Sequence, residues 1–165
     1  MAFYLQNETI SYGDIEVLKS ISIDINKGEK VALLGKSGSG KSTLLKTLYE
    51  MNKKESSYIP QELGLVNNLS VFHNVYISKL DTHSTFYNLR NLIKPAKKEL
   101  DIITSLLSKL QLEDKLFKKV SDLSGGQKQR TAIGRVLYDD KKMLLADEPI
   151  SALDEYLSTK VLNLL

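Results

Sequence analysis

The octapeptide Gly35-Lys36-Ser37-Gly38-Ser39-Gly40-Lys41-Ser42, followed by Thr43, leaves this chain few folds to choose from. It fills the pattern G-x-x-x-x-G-K-[ST] completely. Before it runs the apolar stretch Lys30-Val31-Ala32-Leu33-Leu34, and after it Leu44, Leu45, Leu48 and Met51 recur on one helical face. The spacing predicts a buried parallel strand, a phosphate-binding loop and a helix over Lys41–Met51. Glycines allow the loop backbone to bend until successive N–H groups point inward at phosphate oxygens. The helix that begins there adds the positive end of its dipole. Lys41 supplies a mobile charge for the β- and γ-phosphates, and the Ser42 hydroxyl is of the type that ligates Mg²⁺.

A second segment completes that chemistry. Met143-Leu144-Leu145-Ala146 reads as an apolar strand ending in two carboxylates, Asp147 and Glu148. The carboxyl end of a parallel strand is where open α/β sheets bind ligands. Asp147 is expected to hold Mg²⁺ through water, and Glu148 to polarise the water that attacks the γ-phosphate.

The remaining chain organises around these two segments. Phe3–Tyr12 and Ile15–Ile25, rich in β-branched and aromatic residues, read as strands joined at Gly13-Asp14. Tyr58-Ile59 reads as a short strand limited by Pro60. Beyond Gln61 the pattern becomes helical. Pro95–Leu110 is predicted as a helix with Pro95 in its first turn and Leu100, Ile103, Leu107 and Leu110 along one stripe. Further helices are expected from about Gly126 to Tyr138 and from about Asp154. The fold class is therefore α/β: a mainly parallel sheet of the P-loop NTPase type flanked by helices, an N-terminal antiparallel β-subdomain, and an inserted helical subdomain at about 62–125. Residues 1–165 form one domain.

Composition sets the outer bounds. With 42% hydrophobic and 26% charged residues the chain is an ordinary globular sequence. It has no cysteine, which excludes disulfides and thiolate metal sites. Its apolar runs are too short to span a bilayer, and its first residues carry no secretory signal pattern. The net charge of +3 comes from scattered lysine pairs without interleaved aromatics, so nucleic acid is not an expected partner.

Between loop and acidic strand lies Leu123-Ser124-Gly125-Gly126-Gln127. Small residues permit close backbone approach, serine offers a donor, and the helix that follows directs its dipole at an anion. With the phosphate loop, this pentapeptide and the acidic strand in that order, the chain resembles the ATP-binding subunits of ABC transporters from Tyr12 to about Asp154. The resemblance implies that Tyr12 stacks on adenine and Val17 packs against the same base. It implies that Gln61 contacts Mg²⁺ and water and moves with a transmembrane partner. Ser124, Gly125 and Gly126, with Gln127 beside them, match the signature that meets the γ-phosphate of ATP held by a second copy in a head-to-tail dimer. Ser151-Ala152-Leu153-Asp154 matches the D-loop at that dimer interface. Transmembrane permease subunits and a solute-binding protein are the further partners implied, at the cytoplasmic face of the cell membrane. The segment Leu65–Val75 and the run from Ala146 to Asp154 look like the phosphonate-import branch.

The sequence departs from that family twice. Lys41 and Gln61 stand only 20 positions apart, so the antiparallel strands usual there are expected to shrink to one. The chain also ends at Leu165, inside an apolar helical pattern and before the family's last strand and switch histidine; His73 and His83 lie in the insertion. A fragment of a longer product is the favoured expectation. Two other functions remain open: a soluble ABC-type ATPase without a membrane partner, and an ATP-binding module that no longer hydrolyses.

Overall fold

The computed structural model describes residues 2–164, apart from the side chains of Tyr12 and Asn163. Strands β1 (Phe3–Tyr12) and β2 (Ile15–Ile25) form an antiparallel hairpin whose register runs from Phe3 opposite Ile25 to Tyr12 opposite Ile15. Its β-branched residues were expected to form these strands, and they do so over those ranges. Helix α1 (Lys41–Met51) lies against the hairpin, and its Leu44 and Leu48 join Phe3, Leu5, Ile10 and Leu145 in one core. Met51, expected on the same face, is exposed at the last position of the helix.

Strand β3 (Ser56–Ile59) pairs in parallel with β4 (Met143–Ala146), so that Ser56 faces Met143 and Ile59 faces Ala146. The parallel layer is narrower than the sequence led us to expect. Residues 31–34 have no ladder, and Val31 and Leu34 are exposed. A strand exists through its neighbours, and among the described residues β3 and β4 pair only with each other. Hydrophobicity alone marked this run, and no ladder among the described residues includes it.

The insertion is helical, as expected. It contains α2 (Val71–Tyr76), a 3₁₀ stretch at Ile77–Thr82, α3 (Thr85–Ile93) and α4 (Lys97–Lys109). Helix α4 starts later than predicted. Pro95 precedes the N-cap residue Ala96, and Lys94 before it is extended, the conformation that a following proline favours. Val71, Phe72, Val75, Ile103 and Leu107 are fully buried in the core of this region.

Helix α5 (Gly125–Asp139) ties the two regions together. One side packs on α2 and α4, where Gly134 lets Leu107, Leu110 and Val75 approach closely. Another packs Ala132, Ile133 and Val136 against Ile59 under the parallel strands. Helix α6 (Glu155–Leu164) closes this core with Val161. No helix among the described residues is long and apolar enough to cross a membrane.

Candidate functional site

The phosphate loop is built on its glycines. Gly38 and Gly40 take φ of 78° and 88°, which lets the chain double back just before α1. Gly40, the N-cap of α1, also lies against β2: a Cβ there would come within 2.9 Å of Leu18 and 3.0 Å of Val17. Val17, assigned to the base pocket from the sequence, is thus in contact with the base of the loop. The Tyr12 side chain, the proposed adenine stack, lies outside the described residues. Lys41 donates from Nζ to the carbonyls of Gly35 at 2.8 Å and Lys36 at 2.9 Å. These are solvent-exposed bonds, so the ammonium can exchange them for phosphate oxygens at little cost. Gly35 through Ser39 form the exposed rim of this turn.

Ser42, Thr43, Gln61 and Asp147 line one cleft beside α1. Their elements explain the convergence. Ser42 and Thr43 open α1, Gln61 follows β3 after Pro60, and Asp147 follows β4, whose ladder extends through an Asp147 N–H to Ile59 carbonyl bond of 2.9 Å. Asp147 is only 7% exposed, and its Oδ2 has no hydrogen-bond partner among the described residues. A buried carboxylate oxygen without a donor is costly unless something of opposite character occupies its open side. Beside a serine hydroxyl and a glutamine amide, that donor set suits Mg²⁺, which takes one or two protein carboxylates and fills its other positions with water and phosphate oxygens. Burial first, and the nearby Asp147 charge second, raise the Tyr58 phenol above its ordinary pKa, so it stays protonated beside the carboxylate.

Glu148 is exposed and sits at φ 53°, a left-handed conformation uncommon for glutamate. Two bonds from α5 hold that turn. Gln129, only 2% exposed, donates through Nε2 to the Glu148 carbonyl at 2.8 Å and accepts the Ala152 N–H at Oε1, also at 2.8 Å. Strained backbone kept in place by neighbouring bonds is typical of functional positions.

The pentapeptide Leu123–Gln127 starts α5. Ser124 is the N-cap: its Oγ accepts the Gln127 N–H, and Gln127 Oε1 accepts the Ser124 N–H at 3.0 Å, a complete capping box. The Gln127 side chain is committed to that box, whereas the Ser124 hydroxyl keeps its own proton to donate. Gly125 is exposed, and a Cβ on Gly126 would lie 2.9 Å from the Ala152 carbonyl. None of these residues lines the cleft of Ser42 and Asp147. Asp154 caps α6, accepting the Leu157 N–H at 2.8 Å. The structure therefore brings together Ser42, Thr43, Gln61 and Asp147 and leaves the pentapeptide outside that cleft.

Two residues escaped sequence reasoning. One is Gln129. The other is Arg135, which donates to the carbonyls of Leu63 and Gly64, each at 2.7 Å, and so fastens the turn after Gln61 to α5. Burial draws the Arg135 guanidinium below its ordinary pKa, against the opposing influence of Tyr49 and Asp139. The Gln129 signal was present: it shares a helical stripe with Ile133 and Val136, an unusual place for an amide.

The ABC transporter family pattern matches residues 18–151, most of the chain. The chain belongs to the ABC transporter family. The phosphonates import ATP-binding protein PhnC of Fusobacterium nucleatum is 34% identical over 97% of this chain and 74% of its own length. The probable ABC transporter ATP-binding protein p29 of Mesomycoplasma hyorhinis is 34% identical over 92% of this chain and 69% of its own length. Among solved structures, the dimeric bacterial ABC transporter cassette MJ0796 superposes with a TM-score of 0.81 at 26% identity, covering 98% of this chain and 80% of that one. The same cassette is known as a dimer in a post-hydrolysis state bound to ADP and Pi, matching this chain with a TM-score of 0.76 at 27% identity over the same shares. This ABC cassette is an ATP hydrolase by type, with the α/β fold expected of it.

Proposed function

We propose that the chain is the ATP-binding subunit of an ABC importer, coupling ATP binding and hydrolysis in a head-to-tail dimer to movement of a solute through permease subunits. The observation that carries the site is the unpartnered, buried Oδ2 of Asp147 in a cleft shared with Ser42 and Gln61. Asp147, Ser42 and Gln61 would hold Mg²⁺, which supplies positive charge for the β- and γ-phosphates. The loop N–H groups of residues 35–42 and the Lys41 ammonium bind the same phosphates. Val17, with Tyr12, would receive the base. Glu148 orients water against the γ-phosphorus and takes its proton as the bond to the β,γ-bridging oxygen breaks and ADP leaves with that electron pair.

The outward-facing signature supports the dimer reading. Ser124 retains a proton to donate at the positive end of a 15-residue helix, and it lies outside the cleft that Ser42 and Asp147 line in its own chain. A second copy would supply one. Relatives named for phosphonate import in several bacteria, and for phosphite import in Stutzerimonas stutzeri, support a small phosphorus oxyanion as the solute. A sugar remains the other reading, since a xylose/arabinose import relative from Sulfolobus acidocaldarius is 33% identical over 93% of this chain and 68% of its own length. Permease partners, a solute-binding protein and a position at the cytoplasmic face of the membrane belong to the same proposal.

Glu148→Gln tests it. The variant should bind ATP with unchanged affinity and sediment as a dimer in ATP and Mg²⁺, with phosphate release near zero. Normal release would remove Glu148 from the reaction, and a monomer at saturating ATP would remove the shared site.

A further inference from the structure

Tyr58 brings a hydroxyl to the cleft that holds Asp147. It stands opposite Leu145 in the parallel register of β3 and β4, and both side chains pack in the same core. Asp147 lies two residues beyond Leu145, and its N–H still bonds the Ile59 carbonyl at 2.9 Å. Residues two apart on an extended strand share a face, so Tyr58, Leu145 and Asp147 project on the same side. Strand rise and spacing put the α-carbons of Tyr58 and Asp147 about 8 Å apart on a diagonal, a span that an aromatic side chain covers. Both residues line the cleft, together with Ser42 and Gln61.

The Tyr58 ring is fixed from the other side. It stacks on Tyr49 of α1, with centroids 5.3 Å apart and planes 27° from parallel. Tyr49 belongs to the helix that Ser42 and Thr43 open, so strand and helix together set where the phenol stands. Its hydroxyl is unlike those of the helical region. Tyr76, Tyr87 and Tyr138 each donate to a side chain, whereas the Tyr58 hydroxyl forms no hydrogen bond among the described residues. The neighbouring Asp147 Oδ2 is likewise without a partner among them. The carboxylate is near enough to raise the Tyr58 pKa, after burial, yet the two groups do not bond each other. That spacing suits a bridging water.

The chemistry of the cleft says which water. Mg²⁺ keeps several waters when it is held by one or two carboxylates and phosphate oxygens. A water bound to Mg²⁺ has committed its oxygen to the metal, so it donates two protons and needs two acceptors. Asp147 Oδ2 is one, and Tyr58 Oη is the other on the same wall.

We propose that Tyr58 is a positioning residue for the metal: its hydroxyl oxygen and Asp147 Oδ2 accept the two protons of one water in the Mg²⁺ shell. The role rests on the ATP-binding reading of the cleft and adds to it a residue outside the phosphate loop and the acidic pair.

The test is calorimetric titration of the whole chain with ATP, once in excess Mg²⁺ and once in EDTA. Tyr58→Phe keeps the ring and its stack on Tyr49 and removes only the hydroxyl. In EDTA the variant should bind ATP as the parent does, and its ligand-free melting temperature should match the parent's. Mg²⁺ should tighten ATP binding in the parent, and in Tyr58→Phe that tightening should be smaller by about three- to tenfold, the effect of one hydrogen bond. Equal tightening in the two proteins would overturn the role while leaving the metal reading of the cleft in place. A loss of the same size in EDTA would also overturn it, because the hydroxyl would then act on the nucleotide or the fold rather than through the metal. A parent whose ATP affinity ignores Mg²⁺ would remove the metal from the cleft, and the role of Tyr58 with it.

Discussion

The Gln129 side chain grips the main chain of Glu148: its amide donates to the Glu148 carbonyl at 2.8 Å, and its own carbonyl accepts the Ala152 N–H. One buried amide on the signature helix thus fixes both the turn that aims Glu148 and the loop that follows. Gln129→Leu fills the same volume but leaves these backbone groups without partners. Unfolding in urea should show a loss of about 2 kcal/mol. Phosphate release should fall at least about tenfold, because a misplaced water-orienting group loses its alignment, while nucleotide titration gives an ATP affinity close to the parent's. Equal losses in affinity and turnover would mean that Gln129 supports the whole domain rather than this turn.

Arg135 makes the corresponding tie to the turn after Gln61, through Leu63 and Gly64, both in left-handed conformations at φ 59° and 57°. A lysine cannot reproduce two bonds from one planar group. Arg135→Lys should therefore cost about 1–2 kcal/mol in a denaturant melt. Hydrogen exchange at Leu63, Gly64 and Leu65 should rise, while exchange in β1 and β2 stays the same. A uniform rise would make the effect global.

Local patterns were the legible part of this chain. The hairpin of β1 and β2, α1, the short β3 and β4 follow from features written in consecutive residues: β-branched runs, the loop glycines, an apolar tetrapeptide ending in Asp147. The run 31–34 misled because a strand needs a neighbouring backbone, which hydrophobicity does not report. The convergence of Ser42, Gln61 and Asp147 was legible as a motif set, whereas the Asp147 oxygen lacking a donor is visible only in three dimensions. Gln129 and Arg135 were missed for a related reason. Their partners are main-chain carbonyls and an N–H, which leave no mark on sequence; Gln129 showed only as an amide on an otherwise apolar stripe.

Gly40 and Lys41 are adjacent yet should fail in different ways. Gly40→Ala combines a left-handed φ of 88° with a Cβ 2.9 Å from Leu18, so it should lower stability by about 1–3 kcal/mol and disturb the loop. Lys41→Ala removes an ammonium that, among the described residues, bonds only to loop carbonyls, and should leave the melting temperature of the ligand-free protein within about 1–2 °C of the parent. ATP should raise the melting temperature of the parent and have no effect on Lys41→Ala. Stabilisation by ATP in that variant would remove Lys41 from phosphate binding.

Glu99, 2% exposed, ties α4 to its surroundings: it accepts hydroxyl protons from Tyr138 on α5 and Tyr87 on α3, with His83 4.0 Å away. Burial pushes its carboxyl up, but these two hydroxyls, with the charges of His83 and Lys98, outweigh burial and leave the group below its ordinary 4.5. A carboxylate with a depressed folded pKa stabilises the protein above the unfolded value and loses that contribution as pH falls through the folded one. The tyrosines act in the opposite direction. Burial first, then the Glu99 contact, raises both phenols above 10, so their contribution holds below that pH and is lost as pH rises through the folded values. Stability measured in urea should therefore drop below about pH 4.5 and again at strongly alkaline pH. Glu99→Gln should flatten the acid limb, because an amide does not titrate, and Tyr138→Phe should lower stability at neutral pH by about 1–3 kcal/mol by depriving a buried carboxylate of a donor. An acid limb unchanged in Glu99→Gln would assign it to other carboxylates.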